Sequence, residues 1–362
     1  MNTFAVYFKP HSSLAGWPLA SDTLFGAVCW GIRMLGLMND NQLEQWLADN
    51  RLSPPFAFSH AFPVFYPPQG KPIRLYPRPL SFQLTFEDYK ALVTDHSNRH
   101  NVPRKAASVE ISKRIKDFKK PAYVSETILV EILQGRISAR AEYETWSINQ
   151  SRKNFLCTPE EVRLLPSELY RIEAVQHNQI DRVCGATAEG MLFYSDETFF
   201  APNSGLWALL RAPDPIFNQY IQPALRLLGD TGFGADTSTG KGHFEIYAEQ
   251  APSLPIPEKP QAMMTLSHYL PLESELNLSG NPLTYSLRIL RPKRSHKIPH
   301  PLPANMSSSP IYKYEMPVFE PGSVFPFKMK KDIYGQLKRL TPQNQEPVYQ
   351  SGAALMLYLQ GG

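Results

Sequence analysis

Residues 229–247 read GDTGFGADTSTGKGHFEIY, a run of glycines and hydroxyl side chains with one lysine near its end. A loop of this kind can cradle phosphate through backbone N–H groups, helped by a cation. An NTPase P-loop requires Gly-x4-Gly-Lys-Ser/Thr between a strand and a following helix. Here Gly240 and Lys241 fit, but Ala235 stands at the first glycine and Gly242 at the Mg²⁺-binding hydroxyl position. The surrounding pattern is also inverted, an amphipathic helix before and a strand after, and a dinucleotide fingerprint fails for the same reason. Two readings remain: an RNA backbone carried on Gly232, Gly234, Gly240, Lys241 and Gly242, or glycines that only permit tight turns and close packing.

Other chemistry is sparse. His11, His177 and His243 fall where metal-free RNA cleavage would need a general base or acid. No lysine or tyrosine at a telling spacing completes a catalytic set, so no catalytic residue is assigned. His96/His100 and His296/His300 have helical metal-ligand spacing without a third ligand nearby, and no metal or cofactor is expected. Cys29, Cys157 and Cys184 are odd in number and far apart, which fits a reducing, cytoplasmic setting. No apolar run is long enough for a membrane span.

The charge is uneven. Eight basic residues lie between Arg99 and Lys120 against Glu110 and Asp117, and six between Leu276 and Tyr314 against no acid, on a chain of net charge +4. Arg104, Lys105, Lys113 and Arg114, with Arg291, Lys293, Arg294 and Lys297, are therefore candidate contacts for a polyanion, or solvated loop residues.

Positioning elements follow from periodicity. Residues 3–9 alternate as a strand. SDTLFGAVCWGIRML reads as a helix with Ser21 as a plausible N-cap, Asp22 in the first turn and Gly36 as the stop. A short helix is expected over 42–49, and proline-broken strands over 57–66 and 80–86. The basic stretch 95–120 reads as a loop-like insertion, part of a less regular segment running to about 170. Strands are expected over 170–183 and in GMLFYSDETFF, then a helix from Ile216 to Leu228 ended by Gly229, then a strand at HFEIY. Strand, helix, two strands, helix, strand is the ferredoxin-like order, shared with RNA-recognition motifs. The proline-rich APSLPIPEKP places a boundary near residue 250. The expected layout is α+β: residues 1–249 as one ferredoxin-like domain with the insertion and the Gly-rich loop, and 250–362 as a second.

At this point a family resemblance becomes visible. GFGADTSTGKGHFE resembles the G-rich signature of RAMP proteins, the repeat-associated RNA-binding subunits of CRISPR systems. SDTLFGAV, EPGSVFPF and VYQSGAALMLYL, in that order, are similar to the family of fourth Csm subunits in type III-A effector complexes. HNQIDRVCGATAEGMLFY resembles the segment of that family in which a polar His-Asn and an Asp-Arg precede a strand. The resemblance implies two ferredoxin-like domains and a non-catalytic subunit that grips the repeat-derived 5′ handle of the crRNA. It also implies contact with the large polymerase-like subunit and with the repeated backbone RAMP. By the same resemblance Ser21, Asp22, Thr23, His177, Asn178 and Arg182 join the Gly-rich loop as RNA-contact candidates. For Ser21 simple capping competes with phosphate binding, and for Arg182 a surface ion pair with Asp181. Two other functions stay open: a RAMP endoribonuclease acting on precursor crRNA, and a protein-binding scaffold anchored by aromatics such as Trp17 or Trp46.

Overall fold

The computed structural model describes residues 1–17, 19–149, 155–180, 187–276, 284–291, 314–341 and 347–360. Its backbone is an antiparallel sheet that runs, in spatial order, Phe244–Gln250, Asn2–Pro10, Ser204–Ala212, Phe62–Phe65 and Ile73–Pro77, and continues through Tyr123–Ser125 to Phe155–Leu156. The last of these pairings is parallel. Ala57–Phe58 also pairs with Ser204–Ala212.

The first four positions give the ferredoxin-like arrangement of fourth strand, first, third, second. Its two crossovers are the helix Ser21–Met34 and the helical stretch 214–231. The α+β class and ferredoxin-like core expected from the sequence are present, but two strands are not those expected. The second strand position is filled by Ala57–Phe58 and Phe62–Phe65 and the third by Ser204–Ala212, whereas Tyr170–Ile180 and Thr187–Phe200 form a separate long hairpin. Ser204–Ala212 is almost wholly buried, so its apolar run lacks the alternation that marks a half-exposed strand. The segment expected as a strand over 80–86 is loop and helix start, while Ile73–Pro77 is the strand.

Both sheet faces are covered. On one, Val6, Phe8, Leu206, Ala208 and Leu210 meet Leu24, Val28 and Ile32 of the first helix and Ile221, Ala224 and Leu225 of the second. The helices approach closely because Gly31 faces Ala224: a Cβ at Gly31 would lie 2.8 Å from that of Ala224. The second helical stretch includes a π-turn over Phe217–Ile221 and runs through Gly229 to Thr231. Gly229 therefore does not end it.

On the other face, Tyr7, Trp207 and Leu209 pack with Ile111 and Phe118, with Ile128, Leu129 and Ile132, and with Met264, Leu266 and Leu355. The basic stretch expected as loops is two helices, Phe86–His100 and Arg104–Phe118, of which Ala107, Ile111 and Phe118 point inward. Their charges hid the pattern because only three of fifteen residues in the second helix are buried. An RNA-recognition motif leaves this sheet face open for base stacking. Here it is filled.

Beyond residue 250, Ala262–Thr265 lies between Val324–Pro326 and Met356–Leu359 in a three-stranded sheet. Among the described residues no helix follows Thr239. The helix Glu126–Leu133 supplies the cover instead, and Leu133 accepts a hydrogen bond from Gln360 N at 2.8 Å. Arg74 anchors that helix by donating twice to Glu126, at 2.7 and 2.9 Å, and once to the Tyr7 hydroxyl at 2.8 Å.

Candidate nucleic-acid interface

The Gly-rich loop starts where the second helix ends. Gly232, Gly234, Gly240 and Gly242 all have positive φ, and Asp236 is left-handed at φ 58°. The demand for glycine is strongest at Gly242, where a Cβ would sit 2.2 Å from the Phe233 carbonyl oxygen. Phe233 N–H donates to Gly242 O at 3.1 Å, closing the loop into a ring. Around its far side Thr237–Thr239 makes a 3-10 turn, and a Cβ on Gly240 would meet nothing within 4 Å. That side is open to an approaching chain.

The ring is tied to the segment after the first strand. Gly242 N–H donates to Ser13 O at 2.8 Å, His243 N–H to Ser12 Oγ at 3.0 Å, and His11 N–H to His243 O at 2.9 Å. The same segment joins the long hairpin, since Leu14–Ala15 pairs with Thr198 and Glu197, and Gly16 N–H donates to Asp196 O at 3.0 Å. Three stretches distant in sequence thus meet at one place.

A buried ion pair holds them. Lys241 Nζ lies 2.6 Å from Glu197 Oε1 and 3.6 Å from Asp236 Oδ2, and both Lys241 and Glu197 are buried. Ser13 Oγ donates to the other Glu197 oxygen at 2.8 Å. Burial alone would raise the Glu197 pKa, but the hydrogen bonds from Lys241 and Ser13, with the nearby positive charge, hold it below the usual carboxylate range. His177 Nε2 completes the cluster, 2.8 Å from Ser195 Oγ, 3.3 Å from Glu197 and 3.4 Å from Lys241 Nζ. Its ring stacks on Phe193, centroids 5.1 Å apart.

Lys241, expected as a phosphate contact, is thus already matched by carboxylates and pins the loop to the hairpin. Sequence could not show this, because Glu197 lies 44 residues away with no motif around it. Reasoning from sequence also missed Phe193 and Tyr194, which are 57% and 63% exposed on the hairpin. Phe193 shares the face of His177 and Glu197 beside the loop, and Tyr194 points to the opposite face, next to Gln176. Their signal is the apolar run MLFY within the segment expected as a strand.

Ser21, Asp22 and Thr23 are placed elsewhere. The N-cap is Ala20, with no side-chain cap, so Ser21 is not the cap expected of it. Its hydroxyl accepts from His268 N–H at 3.0 Å, and its own N–H donates to His60 Nδ1 at 3.3 Å. His60 accepts as a neutral ring because burial, then the charges of His268 and Arg288, push its pKa well below the ordinary value. Asp22 holds His268 Nδ1 at 2.9 Å and accepts from Gln350. The motif therefore fastens the first helix to the C-terminal region, and of the three only Thr23 is exposed. A helix N-terminus closed in this way offers a phosphate few of its amides.

Asn178 lies on the hairpin and is exposed, while Arg182 lies outside the described residues. Arg104, Lys105 and Lys113 are exposed on their helix, and Arg114 pairs with Glu110 at 2.6 Å. Arg291 pairs with Glu315 at 2.7 Å; Lys293, Arg294 and Lys297 lie outside the described residues. Trp17 stacks on Tyr170 and Trp46 on Phe56, so neither is the free interface anchor considered above. His96 and His100 do share a helix, with His96 Nε2 3.0 Å from Glu110. Among the described residues no group of three or more His, Cys, Asp or Glu is arranged to hold a metal, and no helix is long and apolar enough to cross a membrane.

No family model matches the chain. A curated relative, the CRISPR system Cms protein Csm4 of Thermococcus onnurineus (strain NA1), is 36% identical over 83 residues. That match spans 23% of this chain and only 28% of the relative. Among solved structures, a chain of the Csm3-Csm4 subcomplex in the type III-A CRISPR-Cas interference complex superposes with a TM-score of 0.61 at 14% identity, covering 100% of both chains. A chain of the Csm1-Csm4 cassette in complex with pppApA superposes at 0.54 and 20% identity, over 99% of this chain and 98% of the other. At such identities the likeness is one of fold.

Proposed function

We propose that this chain, which has the fold of Csm4-like RAMP proteins, is an RNA-binding, non-catalytic subunit of a type III CRISPR effector. It holds the 5′ repeat-derived handle of the crRNA and joins the large polymerase-like subunit to the RAMP backbone. The observation that carries the reading is the junction just described: an open glycine arc locked through Lys241 and Glu197 to a hairpin with two exposed aromatic rings. Single-stranded RNA is held by backbone contacts, stacking and hydrogen bonds to unpaired edges. The arc admits a sugar–phosphate backbone, Phe193 offers a stacking ring on the hairpin face beside it, and Tyr194 and Asn178 lie on the opposite face of the same hairpin. The partner subunits of the solved relatives support the assembly role.

The local charge sets the character of binding. Lys241 is matched, Asp236 is exposed on the loop, and Asp230 is exposed in the last turn of the helix before it. Handle binding here rests on shape, hydroxyls and stacking, with a shallow dependence on salt.

The test is a titration of the full chain with 5′-labelled crRNA in EDTA, against RNA with a scrambled handle, on native and denaturing gels. A handle-dependent shift with intact RNA supports the reading. A discrete cut would replace it with a nuclease centred on His11, His177 and His243, and equal binding of both RNAs would remove handle specificity from this chain.

A further inference from the structure

Outside the loop–hairpin junction, the strongest uncompensated feature is the inserted helix Arg104–Phe118. Its inner face buries Ala107, Ile111 and Phe118. At 100° per residue, Lys105, Val109, Lys113 and Lys116 fall within about 80° of one another on the outer face, over about 16 Å of helix axis. All four are exposed, as is Lys119 just past the helix end, while Lys120 beside it pairs with Asp117 at 2.7 Å.

Many cations on the surface are matched, whereas unpaired ones among the described residues, such as Lys71, Lys259 and Lys330, stand far apart in sequence. Arg33, Lys90, Arg114, Lys120, Arg136, Arg140 and Arg171 each have a carboxylate within 3.2 Å. Lys105, Lys113, Lys116 and Arg104 have no ion pair among the described residues. Arg104 and Lys105 also stand in a first turn with no acidic residue, against the helix dipole. The preceding helix places Glu87 and Asp88 there. An anion from outside relieves both conditions.

We propose that this lysine face docks the phosphate backbone of a nucleic-acid duplex without reading its sequence. Double-stranded DNA carries one charge per about 1.7 Å of axis, so a length of about 16 Å holds about nine phosphates, of which the few on the near side face the row. The face has lysines, which act as point charges, and no arginine fork or aromatic platform. Sites for single strands commonly add such a platform to the charged groove. The exposed ring of Phe86 lies on the preceding helix under Lys90, 4.4 Å from its centroid. The lysine face also packs its helix on the sheet side opposite the first helix, so it acts independently of the handle reading.

The experiment measures anisotropy of a labelled 20-base-pair RNA duplex of arbitrary sequence with the full chain across a salt series. It compares the parent with K105Q/K113Q/K116Q and with a control of equal charge change, K71Q/K259Q/K330Q. Melting curves establish that both variants fold. The log–log salt slope should fall by about 2 to 3 for the helix variant, near 0.9 per lost contact, and by less than about 0.5 for the control. Single-stranded handle binding should stay within about twofold. Equal loss in both variants, or no duplex binding by the parent at about 0.1 mM, the weak end of non-specific affinity, overturns the proposal. Poly-glutamate competing as well as unlabelled duplex overturns it in favour of an acidic protein. Failure of handle binding in the parent, with the duplex result intact, would sink only the proposed function.

Discussion

The Lys241–Glu197 pair joins two elements of the candidate site, and its removal has a calculable signature. Lys241→Met leaves Glu197 buried with the Ser13 hydroxyl and His177; Glu197→Gln leaves Lys241 with Asp236 at 3.6 Å. Breaking a buried pair from one side costs about 3–5 kcal/mol when nothing else takes up the remaining charge. Each survivor here keeps a polar partner, so about 2–3 kcal/mol per single change is expected. With an unfolding entropy near 2.1 cal/mol/K per residue, that lowers the melting temperature of 362 residues by about 3–4 °C. The K241M/E197Q double variant removes both charges, while the amide oxygen introduced by E197Q can still accept from Ser13, so it should lose far less than the sum. Urea unfolding of the four proteins gives an expected coupling of about 2 kcal/mol. The double variant also separates pinning from phosphate contact. If Lys241 only pins the loop, the salt slope for handle binding is unchanged, whereas a lost phosphate contact on a single strand lowers it by about 0.7. Additive single costs would refute the ion pair as the joint, and a lowered slope would refute its purely internal role.

Gly242→Ala adds a Cβ 2.2 Å from Phe233 O at φ 72° and should cost about 2–5 kcal/mol in urea unfolding, strain and overpacking together; Gly240→Ala, at φ 85° in open space, should cost about 1–2 kcal/mol. Phe193→Ala should weaken handle binding by about 1–3 kcal/mol in a gel-shift titration without changing the salt slope, and Tyr194→Ala, on the opposite face of the hairpin, by less. Glu142 is buried, which pushes its pKa up to about 7 against the pull of Arg78. Between the ordinary carboxylate pKa and 7 the native state keeps a proton that the unfolded chain releases, so this group's contribution to stability falls as pH rises through that window. Glu142→Gln should therefore gain on the parent by about 2–3 kcal/mol between about pH 5 and pH 8 in urea melts. Glu197 has the opposite sign: its depressed pKa stabilises above the ordinary carboxylate value, so the Glu197→Gln deficit should shrink as pH falls toward acid unfolding.

Local sequence patterns were a sound guide wherever the tertiary structure leaves them intact. The first strand lies where its apolar residues place it, with Phe4, Val6 and Phe8 in one core and Ala5 and Tyr7 in the other, the Ser21–Met34 helix has a single apolar stripe, and the loop glycines all occupy positive-φ positions. They misled where burial erased periodicity. Ser204–Ala212 is central to the sheet, and its uniform apolar run was passed over in favour of the more regular hairpin strands. The inserted helices were hidden by charge, since so few of their residues reach the core. Ser21 and Lys241 were found as special positions but not for what they touch. Their partners, His268 and Glu197, come from distant segments that only the fold brings together.

The most direct test of the central claim is photocrosslinking of the full chain to crRNA carrying 4-thiouridine within the 5′ handle, with the adducts mapped by peptide mass spectrometry. Adducts on the hairpin around Phe193 and Tyr194 and on the arc from Gly234 to Gly240, lost when the handle is scrambled, are the expected result. Handle adducts confined to the Arg104–Phe118 helix or to the C-terminal strands, with the loop and hairpin unlabelled, would contradict it.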